Sequence, residues 1–425
     1  MLDIKYIREN PEIVKQGIIN KNEKDRVDEI LALDEKRRKI ISEAEELKAQ
    51  KNQVSAKIPQ MKKAGEDTTQ IFAEMKTVSD KISELDNQLK NIEDELNTIL
   101  LFIPNLPHSS VPIGKTAEQN VEIRKWTPEN FSYQKQDKTL DHVELGKKLN
   151  ILDFERGAKI SGSGFPVYVG KGATLERALI NFMLDYHLTH HSYKEVLPPF
   201  LVNKESMYGT GQLPKMEDDM YAIEKDGLYP IPTAEVPITN LHRDEMVAEK
   251  DLPLRYVGYS ACFRREAGSY GKESKGFLRV HQFNKVEMVK IVKSETSYDE
   301  LELLVNDAED ILKALKIPYR IIMLCTGDLS FSAAKCYDIE TWSLAEQRWL
   351  EASSCSNFED FQARRANIRF KREGQKKPEF VHTLNGSGLA TSRLMVSLLE
   401  TYQTPKGTIE VPEVLQKYTG FSEIK

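Results

Sequence analysis

Arginine and glutamate stand at spacings in this chain that could grip an anionic ligand. Phe263-Arg264-Arg265-Glu266 ends an apolar stretch, a polar Gly-rich run follows from Ala267 to Gly276, and Arg279-Val-His-Gln-Phe283-Asn-Lys-Val-Glu287-Met288 comes next. Strand, loop and returning strand predict an antiparallel hairpin, and period two along 283–287 puts Phe283, Lys285 and Glu287 on one face. Gly388-Leu-Ala-Thr-Ser-Arg393 is predicted to open an amphipathic helix through Leu394 and Leu398. Its small residues admit close backbone approach, and Arg393 near a helix start could meet an anion. Taken singly, each segment also fits an ordinary charged surface element.

Familiar alternatives are missing. No G-x-x-x-x-G-K-[ST] occurs; the nearest string, Gly268-Ser-Tyr-Gly-Lys-Glu-Ser274, has the wrong spacing and a glutamate where the hydroxyl should stand. No G-x-G-x-x-G follows a strand, and Gly162-Ser-Gly164 and Gly386-Ser-Gly388 read as turns. Nothing resembles H-E-x-x-H or G-x-S-x-G. These absences count against a Walker ATPase, a Rossmann dehydrogenase and an α/β-hydrolase.

The elements that must position such residues divide in two. From Ile71 to Ile103 apolar residues recur in unbroken steps of four and three: Ile71, Met75, Val78, Ile82, Leu85, Leu89, Ile92, Leu96, Ile99, Ile103. That period of 3.5 is a coiled-coil seam. An earlier run through Ile30, Leu33, Arg37, Ile40, Ala44, Leu47, Lys51, Val54 and Ile58 has the same spacing with two charged seam positions. The gap from Pro59 to about Thr69, with Gly65, is predicted to turn the chain, which makes an antiparallel helical hairpin of roughly 45–50 Å. Pro104, Pro107 and Pro112 then end the second helix. Residues 21–63 hold 12 Lys/Arg against 9 acids, whereas 66–97 hold 3 against 9. The first helix therefore offers the basic face, with Lys36, Arg38 and Lys39 able to track phosphates. Beyond Ile113 short apolar strands at Phe165–Val169, Arg255–Tyr259 and Val286–Ile291 predict a mixed α/β domain.

The 425 residues suit two or three domains. A 30% charged content fits long solvated helices, and the net charge of -6 makes any nucleic-acid contact a local matter. Cys262, Cys325, Cys336 and Cys355 show no C-x-x-C spacing, so reduced thiols in a cytoplasmic protein are expected. The start, MLDIKYIREN, is too charged for a signal peptide, and no apolar run reaches the roughly 20 residues of a membrane span. The cluster His187, His190 and His191 reads as helix-surface histidines that need no metal.

In order along the chain, the segments resemble the three signatures of class II aminoacyl-tRNA synthetases. Leu197-Pro-Pro-Phe200 is similar to the first, Phe263-Arg264-x-Glu266 with its loop and Phe283 to the second, and Gly388-Leu-Ala-Thr-Ser-Arg393 to the third. Thr233-Ala-Glu235-Val-Pro237, Gly209-Thr-Gly-Gln-Leu-Pro-Lys215, His281-Gln-Phe-Asn-Lys-Val-Glu287, Glu351-Ala-Ser-Ser354-Cys-Ser-Asn357, Phe361-Gln-Ala-Arg-Arg365 and Asn385-Gly-Ser387 resemble the bacterial-type seryl family, over essentially the whole chain. The resemblance implies an α+β fold: an N-terminal domain over 1–108 with a hairpin at about 27–103, then a catalytic domain over 113–425 with an antiparallel sheet and flanking helices. It implies ATP-dependent ligation of L-serine to tRNA(Ser) through a seryl-adenylate, and serylation of tRNA(Sec). A homodimer, Mg²⁺ and no zinc are implied as well, and no membrane partner is expected.

The resemblance also assigns roles. Thr233, Ala234, Glu235, Arg264, Glu287, Asn385 and Ser387 would bind serine. Arg264, Arg265, Glu266, Val280, Phe283, Glu351, Ala352, Ser353, Ser354 and Arg393 would bind ATP. Arg264 would clamp the α-phosphate and the serine carboxylate, Glu266 read the adenine amino group, Phe283 stack on the ring and Arg393 hold the γ-phosphate. Glu351 and Ser354 would hold Mg²⁺. Lys36, Arg38 and Lys39 would meet the long variable arm of the tRNA, and Lys272 its acceptor end. A carboxylate nucleophile needs no side-chain base, so positioning and charge suffice. Two rivals share parts of this pattern: a ligase that loads a carrier protein, and an inactive scaffold. The long arm disfavours the first, and intact Arg264, Glu351 and Arg393 disfavour the second.

Overall fold

The computed structural model describes residues 1–136, 139–267 and 275–425; Lys272, expected at the tRNA acceptor end, lies outside them. The chain forms two compact units, one of Met1–Ile19 with Glu23–Pro104, the other of Asn20–Asn22 with Asn105–Lys425.

The first unit is helical. Two short helices, Ile4–Glu9 and Pro11–Asn20, lead to the long helices Val27–Lys63 and Thr69–Leu100. At 1.5 Å per residue the long pair runs about 55 Å and about 48 Å. Ile30, Leu33, Ala44, Ile82, Leu85, Leu96 and Ile99 of the heptad seam are buried. Cross-hairpin ion pairs join Arg37 to Glu93 (3.2 Å), Lys48 to Asp86 (2.9 Å) and Glu43 to Lys81 (2.7 Å). The turn falls later than expected. Pro59 stays inside the first helix, which runs on to Lys63. The chain reverses at 64–68, where Gly65 adopts φ +77° and Glu66 N–H donates to Met61 O (3.1 Å). The second helix likewise ends at Leu100, before the prolines. Asp34, almost fully buried, accepts from Arg8 (2.9 Å), Arg37 (3.1 Å) and Arg38 (3.2 Å). Burial alone would raise its carboxyl, but the three guanidiniums hold it below the usual value.

The second unit is built on an eight-stranded sheet. In spatial order its strands are Val121–Trp126, Tyr319–Met323, Lys335–Ser343, Arg348–Asn357, His382–Ala390, Gln282–Val292, Leu254–Phe263 and Lys194–Glu195. All neighbours are antiparallel except the last pair. The expected hairpin forms its sixth and seventh strands, in register from Leu254↔Ile291 to Phe263↔Gln282. Helices Lys171–His190, Ser297–Ala314 and Thr391–Thr401 bury Leu175, Leu179, Leu304, Ala308, Leu394 and Leu398 in the main core. Lys21 belongs to this unit because its ammonium donates to the carbonyls of Asn105 (3.2 Å), Ser330 (2.6 Å), Phe331 (3.1 Å) and Ala333 (2.9 Å).

Two expectations change here. Gly386-Ser-Gly388 is not a turn but the middle of strand His382–Ala390, which carries on to Ala390 paired with Lys285. The helix therefore begins at Thr391, three residues later than its glycine suggested. Gly162-Ser-Gly164 is a turn, with both glycines at positive φ.

Candidate active site

Two irregularities in the sheet decide which side chains meet. In a regular strand, residues three apart face opposite ways. Yet Glu351 and Ser354 both line one cavity of about 530 Å³. The register explains it: Ile339 pairs with Ser353 and Glu340 with Glu351, so Ala352 is an extra residue. A second bulge lies between Ser387, paired with Glu287, and Ala390, paired with Lys285, with Leu389 at φ +115°. Ser387 and Ala390 thereby open onto the same cavity. The Ser353 hydroxyl donates to Ser387 O (2.6 Å) and ties one bulge to the other.

One end of the cavity is a buried polar network. Thr233 Oγ1 donates to Glu287 Oε2 (2.7 Å) and accepts from Lys285 Nζ (3.0 Å), and Lys285 forms a salt bridge with Glu287. Asn385 Nδ2 lies between two carboxylates, donating to Glu287 Oε1 (3.0 Å) and Glu235 Oε2 (3.1 Å). The other oxygen of Glu235 accepts from Gln362 Nε2 (2.6 Å), and Gln362 Oε1 accepts from Thr383 (2.7 Å). Burial, and then the charge of Glu287, push the Glu235 carboxyl up to about 7. Such a site suits a small ligand that carries an ammonium and can donate and accept hydrogen bonds.

The other end is cationic and flat. The Arg264 guanidinium sits 5.2 Å from the centre of the Phe283 ring, and its Nε donates to Pro232 O (3.3 Å). Glu266, at φ +51°, accepts from Arg279 (2.9 Å). Arg393 Nη1 reaches both the carboxylate and the carbonyl of Glu351 (3.0 Å each). Arg279, Leu278 and Val280 complete this wall. An aromatic face among guanidiniums fits a nucleotide, with base stacking and anionic phosphates.

The structure gathers most of the expected residues. Thr233, Glu235, Arg264, Glu266, Val280, Phe283, Glu351, Ala352, Ser353, Ser354, Asn385, Ser387 and Arg393 line the cavity. Three others differ. Arg265 turns away, just past the end of strand Leu254–Phe263, with its N–H on Asp219 O (2.9 Å) and its guanidinium on Asp218 O (3.2 Å). Ala234 is fully buried at the start of helix Glu235–Thr239, and Glu287 lies just behind the wall. The Ser353 hydroxyl is committed to the backbone.

Lys285 and Gln362 were missed. Period two with Phe283 and Glu287 already put Lys285 on the site face, whereas no local pattern in Phe361-Gln-Ala-Arg-Arg365 shows where Gln362 points. His187 is also a correction: it is fully buried, not on a helix surface, with Nδ1 2.9 Å from His191 Nδ1. Burial pushes it down to about 3. Among the described residues no group of three or more His, Cys, Asp or Glu is placed to hold a metal.

Residues 1–107 match the family profile described as seryl-tRNA synthetase N-terminal domain, and 217–402 match the tRNA synthetase class II core domain (G, H, P, S and T). The chain is 60% identical over 424 residues to a serine–tRNA ligase of Chloroherpeton thalassium, covering 99% of each protein. Its fold is similar to that of seryl-tRNA synthetase from Pyrococcus horikoshii complexed with ATP, with a TM-score of 0.93, 40% identity, and 100% and 99% of the two chains covered. It is also similar to a cytoplasmic serine–tRNA ligase from Naegleria fowleri in complex with AMP, with a TM-score of 0.88, 30% identity and the same coverage.

The raised carboxyl makes a prediction. Below about pH 7 Glu235 is mostly protonated when no ligand cation faces it. An arriving ammonium favours the carboxylate, so binding expels a proton. Affinity should rise with pH from about 4.3, the ordinary glutamate value, and level off above about 7. Calorimetry of L-serine binding at about pH 6, in buffers of different ionisation enthalpy, should show proton release that vanishes in Glu235→Gln. Equal proton release in the variant would remove Glu235 as the source.

Proposed function

The chain belongs to the seryl-tRNA synthetases, class II enzymes that join serine to tRNA, and on that premise we propose that it works through a seryl-adenylate made from L-serine and ATP. The observation that carries this reading is the single cavity in which the Thr233–Lys285–Glu287–Asn385–Glu235 network adjoins the Arg264–Phe283 and Arg393–Glu351 wall. In the first step a serine carboxylate oxygen bonds to the α-phosphorus of ATP. The bond from that phosphorus to the bridging oxygen breaks, and pyrophosphate leaves with the electron pair. Arg264 draws the two anions together, and Phe283 with Val280 holds the adenine against the hairpin. Arg393 meets the terminal phosphate. In the second step a terminal ribose hydroxyl of the tRNA attacks the adenylate carbonyl and AMP departs.

Serine is selected by hydrogen bonding. The serine hydroxyl can join the polar lining of Thr233, Glu235, Glu287 and Ser387, whereas alanine sets a methyl against it and gains no hydrogen bond there. Glu351 and Ser354 offer hard oxygen donors on one face of the bulged strand, and Asp338 is paired with Ser354 on the next strand. This donor set fits Mg²⁺, whose remaining positions phosphate and water would fill. Bound there, Mg²⁺ would neutralise phosphate charge.

The long hairpin is read as the tRNA arm. Lys36, Arg38 and Lys39 are exposed on its first helix, although Arg38 and Lys39 also pair with Asp34 and Glu35. tRNA(Ser), by its variable arm and acceptor end, is the proposed partner, and tRNA(Sec) a second acceptor on the resemblance alone. No helix among the described residues is long and apolar enough to cross a membrane. With four free cysteines among them, we read the protein as cytoplasmic. A homodimer is proposed on the resemblance, with Leu197 exposed in the first of its signatures. Sedimentation of the full chain should give about twice the monomer mass, and Leu197→Asp should lower it; a monomeric wild type would end that reading.

Arg264→Ala and Arg393→Ala should each cut serine-dependent exchange of pyrophosphate into ATP by about 100-fold or more, the scale for losing a preorganised charge. Circular dichroism should stay unchanged. Near-normal exchange in either folded variant means the phosphate contacts are misassigned.

Replacing about Asp28–Leu100 by a short linker should leave exchange largely intact and cripple charging of tRNA(Ser) and tRNA(Sec). The main core of the second unit is drawn from residues between Leu145 and Ile424, so losing the hairpin leaves that core in place. Binding through phosphates is salt-sensitive, and neutralising Lys36, Arg38 and Lys39 together should flatten the salt dependence. Normal charging by the armless protein defeats the role given to the arm.

A further inference from the structure

Behind the nucleotide wall lies a buried pair that the reaction scheme does not use. His142 and Glu400 are both fully buried. Glu400 stands on helix Thr391–Thr401, the helix that carries Arg393. Its carboxylate is fixed from four sides: it accepts from Ser343 Oγ (2.6 Å), Ala345 N (3.0 Å) and His142 N (3.2 Å), and His142 Nδ1 lies 3.2 Å away. On the far side of the ring, Nε2 lies 3.2 Å from Phe277 N. Only an unprotonated nitrogen can accept there, so the ring is the neutral tautomer with its proton on Nδ1.

Residues 275–277 cover the far side of the ring. Phe277 stacks on His142 (5.9 Å, 22°), and Tyr168 stacks on Phe277 (5.2 Å, 20°). Gly276 sits at φ +60°, where a Cβ would come 2.1 Å from His142 Nε2. Lys275 forms an ion pair with Asp141, the residue before His142. Directly after these contacts come Phe277, Leu278, Arg279 and Val280, all of which line the cavity, and Arg279 holds Glu266.

We propose that His142 is a positioning residue for ATP: it carries the fixed carboxylate of Glu400 through to the Phe277 N–H and so holds the Lys275–Val280 limb at the nucleotide. His142 sets ATP affinity without touching ATP. The inference rests on the adenylate-forming reading above.

The test is a pair of variants in serine-dependent pyrophosphate exchange. In His142→Asn the side-chain amide can still donate to Glu400, but nothing reaches Phe277 N–H. In His142→Gln the side-chain carbonyl reaches the position of Nε2 and restores the acceptor. The KM for ATP should rise about two- to tenfold in His142→Asn, the factor of one hydrogen bond. The KM for serine should hold, and His142→Gln should return most of the loss. Gly276→Ala, which drives a methyl into the same ring, should also raise the KM for ATP alone. A wild-type KM for ATP in both His142→Asn and Gly276→Ala overturns the proposal, as does a parallel rise in both KM values without rescue by glutamine. Absence of exchange in the wild-type protein would overturn the functional reading itself.

Discussion

The hydrogen bond from the Ser353 hydroxyl to the Ser387 carbonyl (2.6 Å) joins two strands where their ladder has already parted. Strands Arg348–Asn357 and His382–Ala390 pair only from Cys355↔Gly386 to Asn357↔Leu384. Beyond Gly386 each carries its extra residue, Ala352 in one and a residue between Ser387 and Ala390 in the other. Without the first bulge Glu351 and Ser354 would face opposite ways; without the second, Ser387 and Ala390 would. The sheet thus gives up local pairing where acid, hydroxyl and arginine must share a face.

The polar end of the cavity carries a cost that explains its wiring. Lys285 and Glu287 are buried, and Glu235 lies beside them. A buried ion pair seldom repays its desolvation, and removing one partner costs about 3–5 kcal/mol. The arrangement is tolerable because nearly every oxygen has a donor: Glu287 takes Thr233, Lys285 and Asn385, and Glu235 takes Gln362 and Asn385. Burial, and then the charge of Glu287, still lift the Glu235 carboxyl to about 7. A ligand cation beside it would favour the carboxylate, and the same coupling would favour binding of an ammonium.

Much of this was legible in the residues, and the failures have physical causes. The 3.5-residue period gave both arm helices because a coiled coil writes its contacts at short range. The hairpin of strands Leu254–Phe263 and Gln282–Val292 followed from two apolar runs around a Gly-rich loop. Pro59 misled because the helix runs on past it to Lys63, and the chain reverses only around Gly65. The start of helix Thr391–Thr401 was set too early because Gly388 serves a bulge, a feature defined by the register of two distant strands. His187 and Gln362 are placed by packing between remote elements, as is His142, which the sequence reading passed over. Motif order located the cavity; only long-range pairing says which side chains point into it.

The arm raises a related question, since a regular seam could in principle slip by one heptad. Apolar contacts would survive such a slip. The ion pairs would not. Moving the second helix one way would set Arg37 against Leu100, Glu43 against Gln88 and Lys48 against Glu93. Moving it the other way would set Arg37 against Asp86, Glu43 against Glu74 and Lys48 against Ser79. Each slip keeps one of the three attractive pairs, and one slip adds a repulsion. Exposed pairs of this kind are worth only about 0.2–1 kcal/mol each, so they bias the register without fixing it. The turn does more. Only residues 64–68 separate the helices, and a shift of seven would have to melt helix to lengthen the connection or find residues that a five-residue turn lacks. A short turn and a few placed charges thus hold one register along a surface that is nearly uniform.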